Sequence, residues 1–290
     1  MTLTILDGGM GQELLRRSAY PAHPMWSAKV LMDEPEIVQA VHEDFIRAGA
    51  QVITLNSYSA TPERLARDGK SDWFEPLQAK AIALAKAARD SVDPFVKIGG
   101  CLPPLRASYR PDLSPDFDDN LRRYRAIVAV QKDHVDLMQC ETMSSIAEAT
   151  AACVASVESG LPVWLGLSVA DDASNTVRSG EPLEQALEAV KDLGAAAILL
   201  NCSVPEAISA ALPLVAQTGL RFGAYANGFT SITALQPGGT VDGLKARTDL
   251  GPQEYADFAS DWIDQGATII GGCCEVGPAH IAELSQRFAR

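Results

Sequence analysis

The chain has 290 residues, 47% hydrophobic and 21% charged, the composition of a folded globular protein rather than a disordered one. Its 37 acidic against 24 basic residues leave a net charge of −13, which excludes a general nucleic-acid binder, because phosphate recognition needs clustered Lys and Arg. No apolar run approaches the roughly 20 residues that span a bilayer, no signal-peptide layout opens the chain, and the six cysteines are too few for a disulfide scaffold, so a soluble cytoplasmic protein with no membrane partner is expected.

In chain order, the first predicted strand lies in TILDGG and stops at the Asp7-Gly8-Gly9 turn, which opens a helix. A helix-like segment over Pro35–Ala48 leads into AGAQVITLN, ending at Asn56. Leu77–Ser91 is followed by PFVKIGGC at 94–101, and Leu121–Lys132 by VDLMQCET at 135–142. Ser144–Glu158 precedes SGLPVWLGLS, ending at Ser168, and Leu183–Asp192 precedes LGAAAILLNC, ending at Cys202. Pro205–Ala216 then leads to TGLRFGAYAN, ending at Asn227, and Pro252–Asp264 to QGATIIGGCC, ending at Cys274. In five units a glycine (Gly49, Gly160, Gly194, Gly219 or Gly266) stands seven or eight residues before the polar stop. That spacing fits a helix C-cap followed by a short buried strand.

Eight strands alternating with amphipathic helices predict an α/β fold, a (β/α)8 TIM barrel forming a single domain over residues 1–290. The rival is a doubly wound open sheet, disfavoured by the strand count and by the absence of a GxGxxG turn. Connections from helix to strand are short. Connections from strand to helix, Ser57–Glu75, Leu102–Asn120 and Gly228–Gly251, are long and rich in Pro, Gly, Ser and Asp. Binding and catalysis are therefore expected at the C-terminal ends of the strands.

Cys101, Cys140, Cys202, Cys273 and Cys274 all fall at predicted strand ends, and only Cys153 lies in a helix. A barrel gathers remote strand ends at one mouth, so Cys202 can meet the Cys273–Cys274 pair. Three thiolates fill all but one of the positions zinc offers, which is the mark of a catalytic site. Gly271-Gly272 permits a sharp turn that would let both adjacent sulfurs reach one ion. The plain alternative is that the pair are two small buried hydrophobes; a disulfide between neighbours would be strained. Soft ligands favour a further sulfur in the open place, where a substrate thiol loses its proton. A sulfur held so remains nucleophilic and suits attack on an activated methyl carbon.

Seven stretches resemble the homocysteine S-methyltransferase family. They are LDGGMGQEL at 6–14, MWSAKVLMDEPEIVQAVHEDFIRAGAQVITLNSYSAT at 25–61, QCETM at 139–143, SGEPL at 179–183, NCS at 201–203, YANG at 225–228 and GATIIGGCCEVGPAHI at 266–281. The resemblance covers essentially the whole chain and implies a zinc-dependent barrel that methylates L-homocysteine to L-methionine. It places zinc on Cys202, Cys273 and Cys274, and homocysteine on Asp7, Gly8, Gly9 and Glu141. The physics agrees, since amides of a Gly-rich turn opening a helix can hold a carboxylate, and the two acids can pair with an ammonium group. Asp7 as a helix cap and Glu141 as a helix-start acid are the plainer alternatives. Asn227 matches a family Asn near the metal that can fill the fourth position before homocysteine arrives. Trp26 and Tyr58 are candidates for the donor pocket, where aromatic faces attract an onium cation, with core packing as the alternative. His42 and His280 read as structural or surface residues.

The chain departs from the family pattern at Gln12 (commonly Thr), Ala226 (commonly Pro) and Glu275-Val276-Gly277 (commonly Gly-Thr-Thr). Glu275 adds negative charge beside the cysteine pair, which bears on donor choice. With no room for folate and cobalamin modules, a small donor is expected: S-methylmethionine or S-adenosylmethionine first, betaine next. One alternative is a stand-alone homocysteine module served by a separate corrinoid protein. The other is a non-catalytic zinc or thiol sensor, whose sign would be Cys101 or Cys140 as a fourth sulfur.

Overall fold

Eight parallel strands follow one another round a barrel in chain order, the last pairing with the first, in a computed structural model that describes residues 2–289. The first half comprises β1 (Thr4–Ile5), α1 (Met10–Arg17), α2 (Ser27–Asp33), α3 (Pro35–Arg47), β2 (Val52–Thr54), α4 (Pro62–Arg67), α5 (Phe74–Val92), β3 (Lys97–Leu102), α6 (Phe117–Gln131) and β4 (Leu137–Met143). The second comprises α7 (Ile146–Val157), β5 (Val163–Leu167), α8 (Leu183–Val190), β6 (Ala197–Asn201), α9 (Pro205–Ala216), β7 (Arg221–Tyr225), α10 (Pro252–Asp264), β8 (Ile269–Ile270) and α11 (Pro278–Phe288). A parallel bridge between Leu6 and Val52 closes the ring, with Gln51 N–H donating to Ile5 O at 2.8 Å and Asp7 N–H to Val52 O at 3.0 Å. The expected (β/α)8 barrel is present.

The repeat that organises the sequence has a backbone cause. Gly49, Gly160, Gly194, Gly219 and Gly266 adopt φ of +104°, +77°, +96°, +72° and +104°, the left-handed conformation that ends a helix and redirects the chain into a strand. The strands then bury both faces. Leu6, Val52, Leu137, Trp164, Ala197, Leu199, Tyr225 and Ile269 pack inside the barrel, and the larger core lies between the strands and the helices. Gly166 leaves space in that interior, since a Cβ there would stand 2.9 Å from the Tyr225 hydroxyl and 2.8 Å from Asn201 Oδ1. At the N-terminal end, Arg221 lies over the Trp164 ring at 5.6 Å and donates to Thr4 Oγ1 and the Thr268 carbonyl. That end is packed, and the opening is at the other.

The long strand-to-helix loops carry more structure than their composition suggests. Within Ser57–Glu75, Thr61 Oγ1 accepts from Arg64 N–H at 3.2 Å and Pro62 takes the first helical position, which together start α4. Helix α6 begins at Phe117 rather than Leu121, because the Asp116 side chain caps it through Asp119 N–H at 2.9 Å. His42 sits wholly in the core on α3, where burial lowers its pKa to about 4 and keeps the ring neutral. His280 ties loops together, its Nδ1 accepting from Gly277 N–H at 3.2 Å. Among the described residues, no helix is long and apolar enough to cross a membrane.

Candidate metal centre and substrate cavity

A cavity of about 160 Å³ opens at the C-terminal mouth, walled by Asp7, Gly8, Gly9, Trp26, Tyr58, Tyr109, Glu141, Cys202, Tyr225, Cys273 and Cys274 among others. Strand β6 delivers Cys202, whose φ of 53° is uncommon for a non-glycine residue and turns the chain out of the sheet. The NCS stretch holds that turn. Asn201 Oδ1 accepts from Thr142 N–H at 2.9 Å, Cys202 N–H donates to Tyr225 O at 3.1 Å, and Ser203 Oγ accepts from Val169 N–H at 2.9 Å. Strand β8 delivers the other two cysteines, with Gly272 N–H on Asp7 O at 3.0 Å and Cys273 N–H on Ala226 O at 2.9 Å.

The three sulfurs converge. Cys202 Sγ lies 2.6 Å from Cys273 Sγ and 3.9 Å from Cys274 Sγ, and the adjacent pair are 4.0 Å apart. A tetrahedral ion with bonds of about 2.3 Å to sulfur sets its ligands roughly 3.8 Å apart, so two of the three separations already fit zinc. The third exceeds a disulfide bond, and all three thiols are free, so taking up an ion requires it to open by roughly 1 Å. Among the described residues this is the one group of three Cys, His, Asp or Glu side chains spaced to hold a metal. Cys101 and Cys140 stand apart from it, Cys101 Sγ donating to Glu141 Oε2 at 3.1 Å and Cys140 Sγ lying 3.4 Å from Ser156 Oγ. Hydrogen bonds from Cys273 and Cys274 hold the Cys202 thiol well below the usual thiol range, with Tyr109 and Arg178 reinforcing the effect. The same sharing pushes Cys273 and Cys274 up.

Close approach, more than conformational freedom, explains the glycines here. A Cβ on Gly9 would stand 2.5 Å from the Cys273 carbonyl oxygen and 3.1 Å from Cys274 Cα, and one on Gly272 would meet Val276 Cγ1 at 2.1 Å. Neither Gly271 nor Gly272 has positive φ; the left-handed residue of the cysteine turn is Glu275, at 66°. Gly9→Ala is accordingly expected to displace the cysteine loop, costing about 1–3 kcal/mol of stability and loosening bound metal. Thermal melting and metal content check this, and an unchanged value of both refutes it.

Glu275 pays for its strained backbone with an ion pair to Arg16, Oε2 to Nη2 at 2.5 Å, and Arg16 also bonds Glu13. The left-handed conformation costs about 1–2 kcal/mol for a residue with a Cβ, whereas a half-exposed ion pair contributes about 0–1 kcal/mol. Glu275→Gly is therefore expected to leave the melting temperature unchanged or higher. A clear fall would show that the Arg16 contact dominates.

Two carboxylates face the cavity. Asp7, at the end of β1, accepts from Thr54 N–H at 2.8 Å, and Glu141, on β4, accepts from Gln139 Nε2 at 3.2 Å. A register shift in β4 between Cys140 and Met143 accompanies the placement of Glu141, and Thr142 beside it has φ of 63°. Burial raises Asp7 to about 8, with the Glu141 charge adding to it, and burial raises Glu141 to about 7. Among the described residues neither acid has a salt-bridge partner, so the pair suits a cationic ligand group. The Gly9 amide already donates to Val276 O at 2.8 Å, so the amides left to a ligand are those of Gly8 and of Met10, Gly11 and Gln12 in the first turn of α1, all lining the cavity.

The remaining expected residues fall as follows. Trp26 and Tyr58 both line the cavity, but Trp26 Nε1 donates to Gly239 O at 2.9 Å, and the Arg64 guanidinium lies 5.7 Å and 5.2 Å from the two rings. Asn227 is buried beside the cysteine loops, its Oδ1 accepting from Phe229 N–H at 3.1 Å. Two further residues, Tyr109 and Arg178, reach the cysteines. The Tyr109 hydroxyl lies 2.9 Å from Cys202 Sγ, and Arg178 stacks on its ring at 5.0 Å while donating to Cys202 O at 3.1 Å. Tyr109 sits deep in a long loop with no periodic signal, though Arg178 directly precedes the SGEPL stretch.

The homocysteine S-methyltransferase family model matches residues 4–288. Homocysteine S-methyltransferase 1 of Brassica oleracea var. italica is 30% identical over 99% of this chain and 93% of its own length. Homocysteine S-methyltransferase of Escherichia coli (strain K12) is 30% identical over 98% of this chain and 95% of its own. The crystal structure of the metallated homocysteine methyltransferase MmuM from Escherichia coli superposes with a TM-score of 0.83 and 28% identity, covering 99% of this chain and 96% of that one.

Proposed function

Because the chain belongs to the homocysteine S-methyltransferase family and is an enzyme that methylates homocysteine, we propose that zinc is held by Cys202, Cys273 and Cys274 and that the methyl group comes from a small onium donor. S-Methylmethionine or S-adenosylmethionine ranks first and betaine next. The observation that carries this is the convergence of three free sulfurs with two buried acids in one cavity. Bound there, zinc would make a fourth thiol acidic enough to ionise at neutral pH while leaving its sulfur nucleophilic.

The chain's own residues supply the rest. Asp7 and Glu141 take the substrate ammonium, and the amides of Gly8, Met10 and Gly11 take its carboxylate. Held at both ends, homocysteine directs its sulfur toward the cysteines. Its thiolate attacks the donor methyl in line. The new S–C bond forms as the donor's S–C or N–C bond breaks, the bonding pair leaves with the donor, and methionine departs as a neutral thioether. Thiolate and onium lose their charges together, so the enclosed barrel mouth favours the transition state by excluding water. No side chain has to move a proton in the transfer step.

The test is metal analysis with and without homocysteine, followed by a donor panel with the purified protein alone. Methionine formed from a small onium donor is the expected result. Turnover only after addition of a corrinoid protein would replace this reading with that of a stand-alone homocysteine module.

A further inference from the structure

Behind Trp26 and Ser108, which also wall the substrate cavity, lies a second cavity of about 10 Å³, room for roughly one water-sized group. Arg64, Arg67 and Arg106 line it, and among the described residues its lining holds no acidic side chain. In a chain of net charge −13 this is a local reversal of sign. Arg64 is 5% exposed, and its hydrogen-bond partners are neutral oxygens, Pro104 O at 2.9 Å and Ser108 Oγ at 3.3 Å. Its Nε is buried without an acceptor among the described residues. Glu148 acts on Arg64 through charge, but one of its oxygens is committed to Ser144 N–H at 2.9 Å. Arg67 has only a loose contact with Asp68 at 3.5 Å, and Arg106 is exposed. A buried cation whose hydrogen-bond partners are neutral, with a carboxylate nearby but not bonded to it, is costly and is relieved by a directly bonded anion.

We propose that Arg64, Arg67 and Arg106 form an anion subsite that takes one oxygen of the methyl donor's carboxylate at the Ser108 partition, which turns the donor's onium methyl toward the three cysteines. The assignment rests on the small onium donor proposed above, each candidate for which carries a carboxylate. Arg64 stands close to the Trp26 and Tyr58 rings, so its charge repels an onium centre from that end of the pocket and attracts the opposite pole. Ser108 Oγ is the polar point in the partition, bonded at 2.8 Å to the Tyr58 hydroxyl and at 3.3 Å to Arg64. A donor carboxylate at that point gains both neighbours.

The test compares the wild type with Arg64→Met and with the exposed, fold-neutral Arg106→Ala. Arg64→Met is expected to raise the donor KM roughly 10-fold or more and the exposed Arg106→Ala by about 2- to 5-fold, each leaving the homocysteine KM within about twofold. The wild type is expected to prefer a carboxylate donor over its carboxamide by a similar factor, and Arg64→Met to lose the preference. Acetate at constant ionic strength should raise the melting temperature of the wild type and of neither variant. This arm needs no turnover. If acetate protection is lost in the variants but no onium donor is used, the anion subsite stands and the donor reading fails. If the wild type uses carboxylate and carboxamide donors equally, the subsite does not hold the donor; acetate protection that persists in both variants overturns the subsite itself.

Discussion

Cys273→Ala is expected to abolish metal retention and methyl transfer together. Its sulfur lies within 4.0 Å of both other cysteine sulfurs, so its loss leaves two ligands on separate strands. Losing an outer-shell partner of a metal ligand costs roughly 10- to 100-fold in affinity or activity, and losing one of three ligands should exceed that range. On the proposed assignment zinc would bridge the ends of β6 and β8, so the wild type should melt higher with zinc than without it, and the variant should not. Dialysis against a weak chelator, metal analysis and methionine formation are the measurements. A variant that keeps its activity with no bound metal would refute the cysteine–zinc assignment.

Glu141→Gln should lower kcat/KM for homocysteine by roughly 100-fold, the scale expected when a buried ion pair loses one partner. The pH dependence carries the sign of the argument. Burial holds Asp7 at about 8 and Glu141 at about 7, so in the empty site both acids are largely protonated at pH 6. An ammonium group is bound by carboxylates, so kcat/KM should rise as pH increases through 7 to 8. Stability of the empty protein runs the other way. Each folded pKa lies above its unfolded value, so this contribution is full below about pH 4 and is lost as pH rises toward 8. Homocysteine should therefore protect the fold more at pH 8 than at pH 6. A flat wild-type profile over that interval, or a Glu141→Gln profile indistinguishable from wild type, would remove the acids from substrate binding.

The positions with unusual backbone conformations mark the same region. Seven non-glycine residues have positive φ among those described, and Trp26, Tyr109, Thr142 and Cys202 of them line the cavity. Strain of this kind persists where surrounding packing over-determines it, and here it sets Cys202 against the β8 cysteines and Glu141 beside Asp7.

The periodic apolar runs, and the glycines that stop each helix, determined the barrel: burial on both strand faces and a left-handed cap are local demands that a linear pattern displays. The clustering of cysteines at strand ends likewise marked the three sulfurs that the fold brings together. Other features had no local signature. The hydroxyl of Tyr109 at Cys202, the raised affinity of Asp7 and Glu141 for protons, and the guanidinium of Arg64 behind two cavity aromatics arise from contacts between loops remote in the chain. Even Gly271 and Gly272 serve differently from their sequence appearance, giving room rather than a turn. Short-range conformational preference is written residue by residue, whereas desolvation and charge pairing depend on what closure of the ring brings together.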